Sequence, residues 1–158
     1  MKKIIIANWK MNPASAKEAK ILFESCVKKA SKNTEIVFAP PFIFLNLIKQ
    51  KKNIKLAAQN CFWEQKGAFT GEISPAQLSG LKVSYLLLGH SERRLYFSET
   101  DETVNKKVRA ALEEKIVPIL CIGETRIQRD AGETQSVIER EIREGLKAVS
   151  PAKVKESG

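Results

Sequence analysis

Short apolar runs alternate along the chain with longer segments in which apolar residues recur every three or four positions. The runs predict five β-strands, at residues 3–9, 35–39, 54–59, 83–88 and 116–122. The first run is continuously apolar, which is typical of a strand buried on both faces of a parallel sheet. Pro118 in the fifth run gives no ladder hydrogen bond, so we expect it near the beginning of that strand.

The segments that follow the first three runs predict helices. Ser15 and Glu18 have the spacing of a capping box for the first of them. Apolar residues then recur at helical spacing: Ala16, Ala19, Phe23, Cys26 and Ala30. A second helix is predicted over residues 42–51, after two prolines. A long loop at residues 60–74 precedes a short helix that we expect to begin at Pro75.

Two longer amphipathic helices are predicted in the second half of the chain. The first begins after a cap at Ser98 or Thr100, and its apolar stripe consists of Val104, Val108, Ala111 and Leu112. The second covers residues 134–149 and ends before Pro151. Its predicted apolar face consists of Ile138, Ile142, Leu146 and Val149.

Repeated strand–helix alternation predicts an α/β protein with a parallel sheet, either doubly wound or part of a (β/α)8 barrel. No GxGxxG pattern follows the first strand and no phosphate-binding P-loop motif occurs. Their absence from the sequence weakens the interpretation as a doubly wound nucleotide-binding domain. A complete barrel needs about 250 residues. The 158 residues therefore predict a single domain over residues 1–158 that is an incomplete, unclosed barrel.

Composition narrows the class of function. A net charge of +9 suits an anionic small molecule, but the basic residues are scattered and no aromatic residues alternate with them as nucleic-acid binding requires. Three widely spaced cysteines and one histidine fit neither a disulfide framework nor a multi-histidine metal centre. No run approaches the roughly 20 apolar residues of a membrane helix, and residues 8–10 interrupt any signal sequence. We expect a cytoplasmic protein without metal, nucleic-acid partner or membrane.

Four motifs follow predicted strands. They are A-N-W-K-M-N at residues 7–12, A-Q-N at 58–60, G-H-S-E-R-R at 89–94 and C-I-G-E at 121–124. In this order and spacing they closely resemble the triosephosphate isomerase family, and the resemblance covers the whole chain. All four stand at carboxyl ends of strands, where barrel enzymes carry their chemistry.

The resemblance implies a partial TIM barrel and a homodimeric isomerase of glycolysis and gluconeogenesis. The implied reaction interconverts dihydroxyacetone phosphate and glyceraldehyde 3-phosphate by proton transfer through an enediolate. The substrate is thus a small phosphorylated three-carbon compound. The resemblance implies no organic cofactor and no metal.

Four residues receive direct roles from the resemblance. Lys10 holds the substrate and stabilises enediolate charge, and Asn8 orients the substrate or Lys10. His90 is the electrophile, a neutral imidazole that donates a hydrogen bond; the positive end of a helical turn after it disfavours the imidazolium form. Glu92 has a supporting role, for which a structural ion pair with Lys10 or an arginine is the alternative.

Other residues receive supporting or interface roles from the same resemblance. Ser91 would hydrogen-bond the catalytic base, and Cys121 would pack near the site. Arg93, Arg94 and Glu99 would form scaffold and interface ion pairs. The loop at residues 61–74 would enter a pocket of a partner subunit, with a mobile surface loop as the alternative. Its interface residues are Phe62, Trp63, Phe69 and Thr70.

The family's general base is a glutamate in an A-Y-E-P-V-W motif after a sixth strand, and glycine-rich turns after the seventh and eighth strands bind phosphate. The sequence contains neither feature. Because general-base catalysis supplies about 10²–10⁴-fold and open sheet edges invite aggregation, we expect the 158-residue chain alone to be poorly stable and nearly inactive. We interpret it as a truncated sequence or as one part of a split enzyme. The alternative is an inactive half-barrel that acts as an assembly module.

Overall fold

A computed structural model of the chain describes residues 3–28 and 33–157. Its five strands form one parallel sheet in chain order, β1-β2-β3-β4-β5. The strands are β1 (Lys3–Asn8), β2 (Thr34–Ala39), β3 (Ile54–Ala58), β4 (Tyr85–Leu88) and β5 (Val117–Leu120). Each strand lies within its predicted run except β2, which begins one residue earlier, and Pro118 is the second residue of β5.

Helices follow the strands. They are α1 (Ala16–Lys28), a 3₁₀-helix (Phe42–Leu47), α2 (Pro75–Gly80), α3 (Ser91–Tyr96), α4 (Asp101–Glu113), α5 (Arg126–Asp130), α6 (Thr134–Gly145) and α7 (Pro151–Ser157). The sheet is curled but not closed. Ile4 and Ile6 of β1 line the same cavity as Val117 and Ile119 of β5, although these strands are at opposite ends of the sheet. The predicted partial (β/α)8 barrel is confirmed.

The main hydrophobic core lies between the outer face of the sheet and the helices. Phe38, Leu56, Leu86 and Leu88 contribute from the strands, and they are completely or almost completely buried. Helical residues such as Phe23, Leu78, Val104 and Val108 pack against them. A smaller cluster fills part of the inner face and consists of Val37, Ala39, Ala57 and Leu87. The strands are therefore held mainly by their helical layer.

The prediction that β1 is buried on both faces is wrong. Ile4 and Ile5 are 54% and 56% exposed, and Ile6 is 40% exposed. Within the described residues β1 pairs only with β2, so its second edge has no neighbouring strand and the inner face beside it is open. The continuous apolar run correctly indicates a parallel strand, but burial depends on neighbours that this sheet does not supply.

Several helix bounds differ from prediction. The helix expected over residues 42–51 is a six-residue 3₁₀-helix, because Ile48 is extended and Lys51 forms a bridge to Ile54. Helix α6 ends at Gly145, and Ala148 beyond it has a positive φ of 59°. Its buried residues are Val137, Glu141 and Gly145, whereas Ile142 from the predicted apolar face is 41% exposed. Neither α5 nor α7 was expected.

Capping residues mostly act as expected. The Ser15 hydroxyl accepts the Glu18 N–H at 3.2 Å, and the Glu18 carboxylate accepts the Ala14 N–H. Of the two candidate caps for α4, Thr100 is the one used, in a reciprocal pair with Thr103. Ala30, expected at the end of the first apolar stripe, lies outside the described residues. Within residues 3–28 and 33–157, no helix has the length and apolar character needed to cross a membrane.

Candidate active site

Residues at the ends of β1 and β3 fix the backbone of Lys10. Lys10 has a left-handed φ of 54°, which is uncommon for a lysine. Its N–H donates to Asn8 Oδ1 at 2.9 Å, and its carbonyl accepts from Gln59 Nε2 at 2.9 Å. Gln59 Nε2 also donates to the Ala39 carbonyl at 2.7 Å, so one amide joins three strand ends. The role of Gln59 was missed, since only its place in a motif pointed to the site.

The Lys10 ammonium and the His90 imidazole lie beside one carboxylate. Lys10 Nζ donates to Glu92 Oε1 at 2.5 Å, and His90 Nδ1 is 3.6 Å from Glu92 Oε2. The hydrogen bond from Lys10 holds the pKa of the Glu92 carboxyl below its usual range, and the charge of Lys10 lowers it further. The two candidate catalytic side chains thus lie close together at the carboxyl ends of the strands, an edge of the sheet that we call the mouth.

His90 stands at the N-terminus of α3. Its Nδ1 accepts the Glu92 N–H at 3.2 Å and caps the helix. An imidazole that accepts at Nδ1 carries the proton of its neutral form on Nε2. The geometry therefore leaves Nε2 as the donor, which is the arrangement needed to polarise a substrate oxygen.

A cavity of about 450 Å³ opens beside His90. Ser91 and Cys121 line it together with the loop after β5, at residues 122–124. Ser91 is exposed, and Cys121 is partly buried. Burial raises the pKa of the Cys121 thiol, so the thiol stays protonated and is a weak nucleophile. Glu124 in the same wall accepts from Arg129 Nε at 2.7 Å, a bond that lowers the pKa of its carboxyl.

Buried charges connect the end of β3 to α4. The Lys107 ammonium donates to Asn60 Oδ1 at 2.8 Å and makes a short hydrogen bond to Glu99 Oε1. Both charged side chains are at least 94% buried. Arg93 Nε also lies 3.3 Å from Glu99 Oε1. The role of Lys107 was missed, although its helical spacing from Val104 and Ala111 places it on the buried face of α4.

The loop at residues 61–74 is compact. The Phe62 ring contacts the tilted rings of Trp63 and Phe69, at ring-centroid distances of 4.1 and 4.7 Å. The Lys106 ammonium lies 5.5 Å from the centre of the Trp63 ring. Phe69 nevertheless remains 43% exposed, and Thr70 at the tip is exposed as well.

This arrangement can stabilise negative charge on a small substrate but contains no evident strong base. An ammonium and an imidazole donor on one side of a mouth favour a developing oxyanion. Abstraction of a carbon-bound proton requires a base whose pKa lies near the operating pH. The pKa of Glu92 is instead lowered by Lys10. Among the described residues, no cluster of three or more His, Cys, Asp or Glu side chains could hold a metal ion.

A curled parallel sheet whose strand ends gather polar side chains is the architecture of a (β/α)8-barrel enzyme. The family model for triosephosphate isomerase matches residues 3–157. The chain therefore belongs to the triosephosphate isomerase family, whose members are isomerases.

Curated relatives agree with the family model. The chain is 46% identical over 148 residues to the triosephosphate isomerase of Clostridium tetani, which covers 92% of the chain and 58% of the relative. It is 47% identical over 158 residues to that of Alkaliphilus metalliredigens, covering 98% and 64%. The figures for Dictyoglomus turgidum are 45% over 157 residues, covering 97% and 63%. The chain thus spans about six-tenths of the length of the curated relatives it matches.

Proposed function

We propose that this chain supplies the first five β/α units of a cytoplasmic triosephosphate isomerase. The enzyme interconverts dihydroxyacetone phosphate and glyceraldehyde 3-phosphate in glycolysis and gluconeogenesis. The observation that carries the proposal is the meeting of Lys10 and His90 at Glu92, with contacts of 2.5 and 3.6 Å. Two groups that stabilise an enediolate are then within reach of one three-carbon substrate.

Each side chain has a defined task in the proposed reaction. Lys10 releases Glu92 and pairs with the anionic substrate, while Asn8 keeps the Lys10 backbone in its left-handed conformation. The His90 Nε2–H donates to the substrate oxygens as the enediolate forms, because electrostatic stabilisation is greatest where charge develops. Glu92 supports both groups, and Ser91 holds the catalytic base when that base is not engaged with substrate.

The general base comes from a polypeptide segment that corresponds to the part of the relatives that this chain does not span. Glu92 is a poor substitute because Lys10 lowers its pKa. Without the base, residues 1–158 are nearly inactive, and the open edges of β1 and β5 make them poorly stable. With it, the sheet closes and the exposed face of Ile4 and Ile6 becomes part of the barrel interior.

The complete enzyme is a homodimer in this proposal. Phe69 and Thr70 at the tip of the loop reach the partner subunit near its substrate mouth, and the stack of Phe62 and Trp63 stiffens the loop. The exposed apolar side chains on the same chain support an interface: Met11 is 92% exposed, Tyr96 72% and Phe97 66%. Burial of these side chains against a partner would remove apolar area from water and stabilise the contact.

A coupled isomerase assay tests the proposal. Residues 1–158 are assayed alone and together with a polypeptide that carries three further β/α units and the A-Y-E-P-V-W motif. We expect activity only in the combination, and its loss by about 10²–10³-fold in His90→Ala, since one electrostatic donor contributes on that order. A folded combination without isomerase activity would overturn the proposal and favour an assembly module.

A further inference from the structure

Arg94 joins the turn before His90 to two helices. Its Nε donates to the Gly89 carbonyl at 3.0 Å, and its Nη1 donates to Asp101 Oδ1 at 2.6 Å. Asp101 is the first residue of α4. Nη1 also lies 3.8 Å from Oε1 of Glu141 on α6. One guanidinium therefore links the end of β4 to the beginning of α4 and the middle of α6.

The Gly89 backbone is closely surrounded where these contacts are made. Gly89 has a φ of +76°, which side-chain-bearing residues rarely adopt, and a Cβ there would lie 3.1 Å from the Cys121 carbonyl oxygen and 3.2 Å from Arg94 Nη2. The Gly89 carbonyl and the His90 N–H belong to one planar peptide unit. Arg94 thus fixes the plane from which the His90 side chain departs.

Glu141 extends the connection to the loop after β5. Its side chain is 5% exposed, and its Oε2 accepts the Gly123 N–H at 2.9 Å. A buried carboxylate is costly unless it is paired, and the partners of Oε1 are Arg94 and Arg140, each at 3.8 Å. Glu141 therefore holds the wall of the His90 cavity with one oxygen and faces Arg94 with the other.

On the basis of the proposed function, we propose that Arg94 and Glu141 are positioning residues for the isomerisation. Neither is assigned a contact with substrate, although Arg94 also lines the cavity beside His90. Arg94 sets the orientation of the peptide that carries His90, and Glu141 fixes Arg94 relative to the loop after β5. Together they keep the imidazole at the Glu92 carboxylate that Lys10 also contacts. This role goes beyond the scaffold ion pairs expected for Arg94.

Arg94→Lys in the complete enzyme is the first test. Lysine keeps the charge but lacks the planar fork that binds the carbonyl and the carboxylate together. We expect kcat to fall about 10-fold or more with KM changed less than about 2-fold, since small displacements of a positioned group cost rate. The ¹⁵N and ¹H imidazole resonances should also shift. When only residues 1–158 carry ¹⁵N-labelled histidine, these resonances need no assignment, because His90 is the single histidine in that segment. Arg143→Lys is the matched control, since Arg143 is 68% exposed and pairs with its neighbour Glu144.

Glu141 variants provide a second test, which does not require Arg94→Lys to fold. Glu141→Gln retains an acceptor for the Gly123 N–H but loses the charge that faces Arg94, so we expect a smaller fall in kcat than in Glu141→Leu. Glu141→Leu removes the acceptor and should lower kcat about 10-fold. A purely structural role predicts lower melting temperatures with unchanged kcat per folded molecule and unmoved imidazole resonances, and that result overturns the proposal.

The two proposals fail in different ways. If the unsubstituted complete enzyme has no isomerase activity, the proposed function is wrong. In that case the positioning role is tested by the imidazole resonances without kinetic data. A shift in Arg94→Lys and Glu141→Leu but not in Arg143→Lys supports it, and resonances that stay in place in all three overturn it.

Discussion

The Lys10 ammonium lies 2.5 Å from the Glu92 carboxylate, although β2 and β3 separate the strands that these residues follow. Neighbouring strands are about 4.8 Å apart, so a flat sheet would hold the ends of β1 and β4 about 14 Å apart. The contact is one consequence of the curl of the sheet. The curl brings residues that are distant in sequence to one substrate mouth, and the chemistry proposed for the chain depends on this proximity.

Lys10→Met should remove a positive group from the mouth. In the complete enzyme we expect a higher KM for the phosphorylated substrate and a kcat lowered by about 10²-fold or more, because the ammonium acts on both bound substrate and developing enediolate. Steady-state kinetics in the coupled assay measure both constants. Lys20→Met, at an exposed position of α1, is the control. Equal effects of the two substitutions would show that only overall charge matters.

The Glu92 carboxyl should stay ionised to unusually low pH. Its pKa is lowered, so any stabilisation from the pair with Lys10 is present above the pKa of the unfolded chain and is lost as pH falls through the lower pKa of the folded chain. Carbon-detected NMR of the Glu92 carboxyl follows this titration. In Lys10→Met the pKa should rise toward its ordinary value. A titration that does not respond to this substitution would contradict the assigned cause.

Tyr85 should ionise at a higher pH than an ordinary tyrosine. Burial, followed by its hydrogen bond of 2.6 Å to Glu35, raises the pKa of Tyr85 to about 12. The contribution of the neutral phenol to stability is therefore complete below the ordinary tyrosine range, near 10, and is lost as pH rises through about 12. Phenolate absorbance should show a step there that is missing in Tyr85→Phe. Glu35→Gln should move the step to lower pH, whereas Glu64→Gln, an exposed control, should not.

Lys115→Gly should stabilise the fold. Lys115 comes immediately after Glu114, the residue that caps the C-terminus of α4, and has a φ of 57°, a conformation that glycine adopts without steric cost. We expect the free energy of unfolding to rise by about 0.5–1 kcal/mol in urea unfolding. Arg109→Gly, at an exposed position inside α4, should lower it by about 1 kcal/mol. If both substitutions destabilise the protein by similar amounts, the backbone of Lys115 is not strained.

Local signals in the sequence predicted the strands and most caps. The apolar runs located β1 to β5 because a short run between turn residues has few alternatives in a strand–helix repeat. The sequence predicted a cap for α4 at Ser98 or Thr100 but could not distinguish them, since either hydroxyl can accept a hydrogen bond from a nearby N–H. A capping-box spacing was also present at Thr125 and Gln128, where α5 begins.

Features that depend on distant contacts could not be predicted. Ile5 is exposed because, within the described residues, only one edge of β1 pairs with another strand. The residues of β1 themselves give no sign of this. Glu141 is buried on α6 because it accepts the Gly123 N–H, so helical periodicity placed the apolar face one position away. The roles of Gln59 and Arg94 likewise arise only when the sheet curls and brings their partners together.

The most direct measurement is the response of the His90 imidazole to a three-carbon phosphate. Glycerol 3-phosphate, which has no carbonyl to isomerise, is titrated into the complete enzyme, and the His90 imidazole is followed by NMR with ¹⁵N-labelled histidine in residues 1–158 only. We expect a saturable shift that is lost or greatly weakened in Lys10→Met and is not produced by glycerol. A shift that persists unchanged without the Lys10 ammonium, or no shift at saturating ligand, would contradict the claim that the two residues act on one substrate.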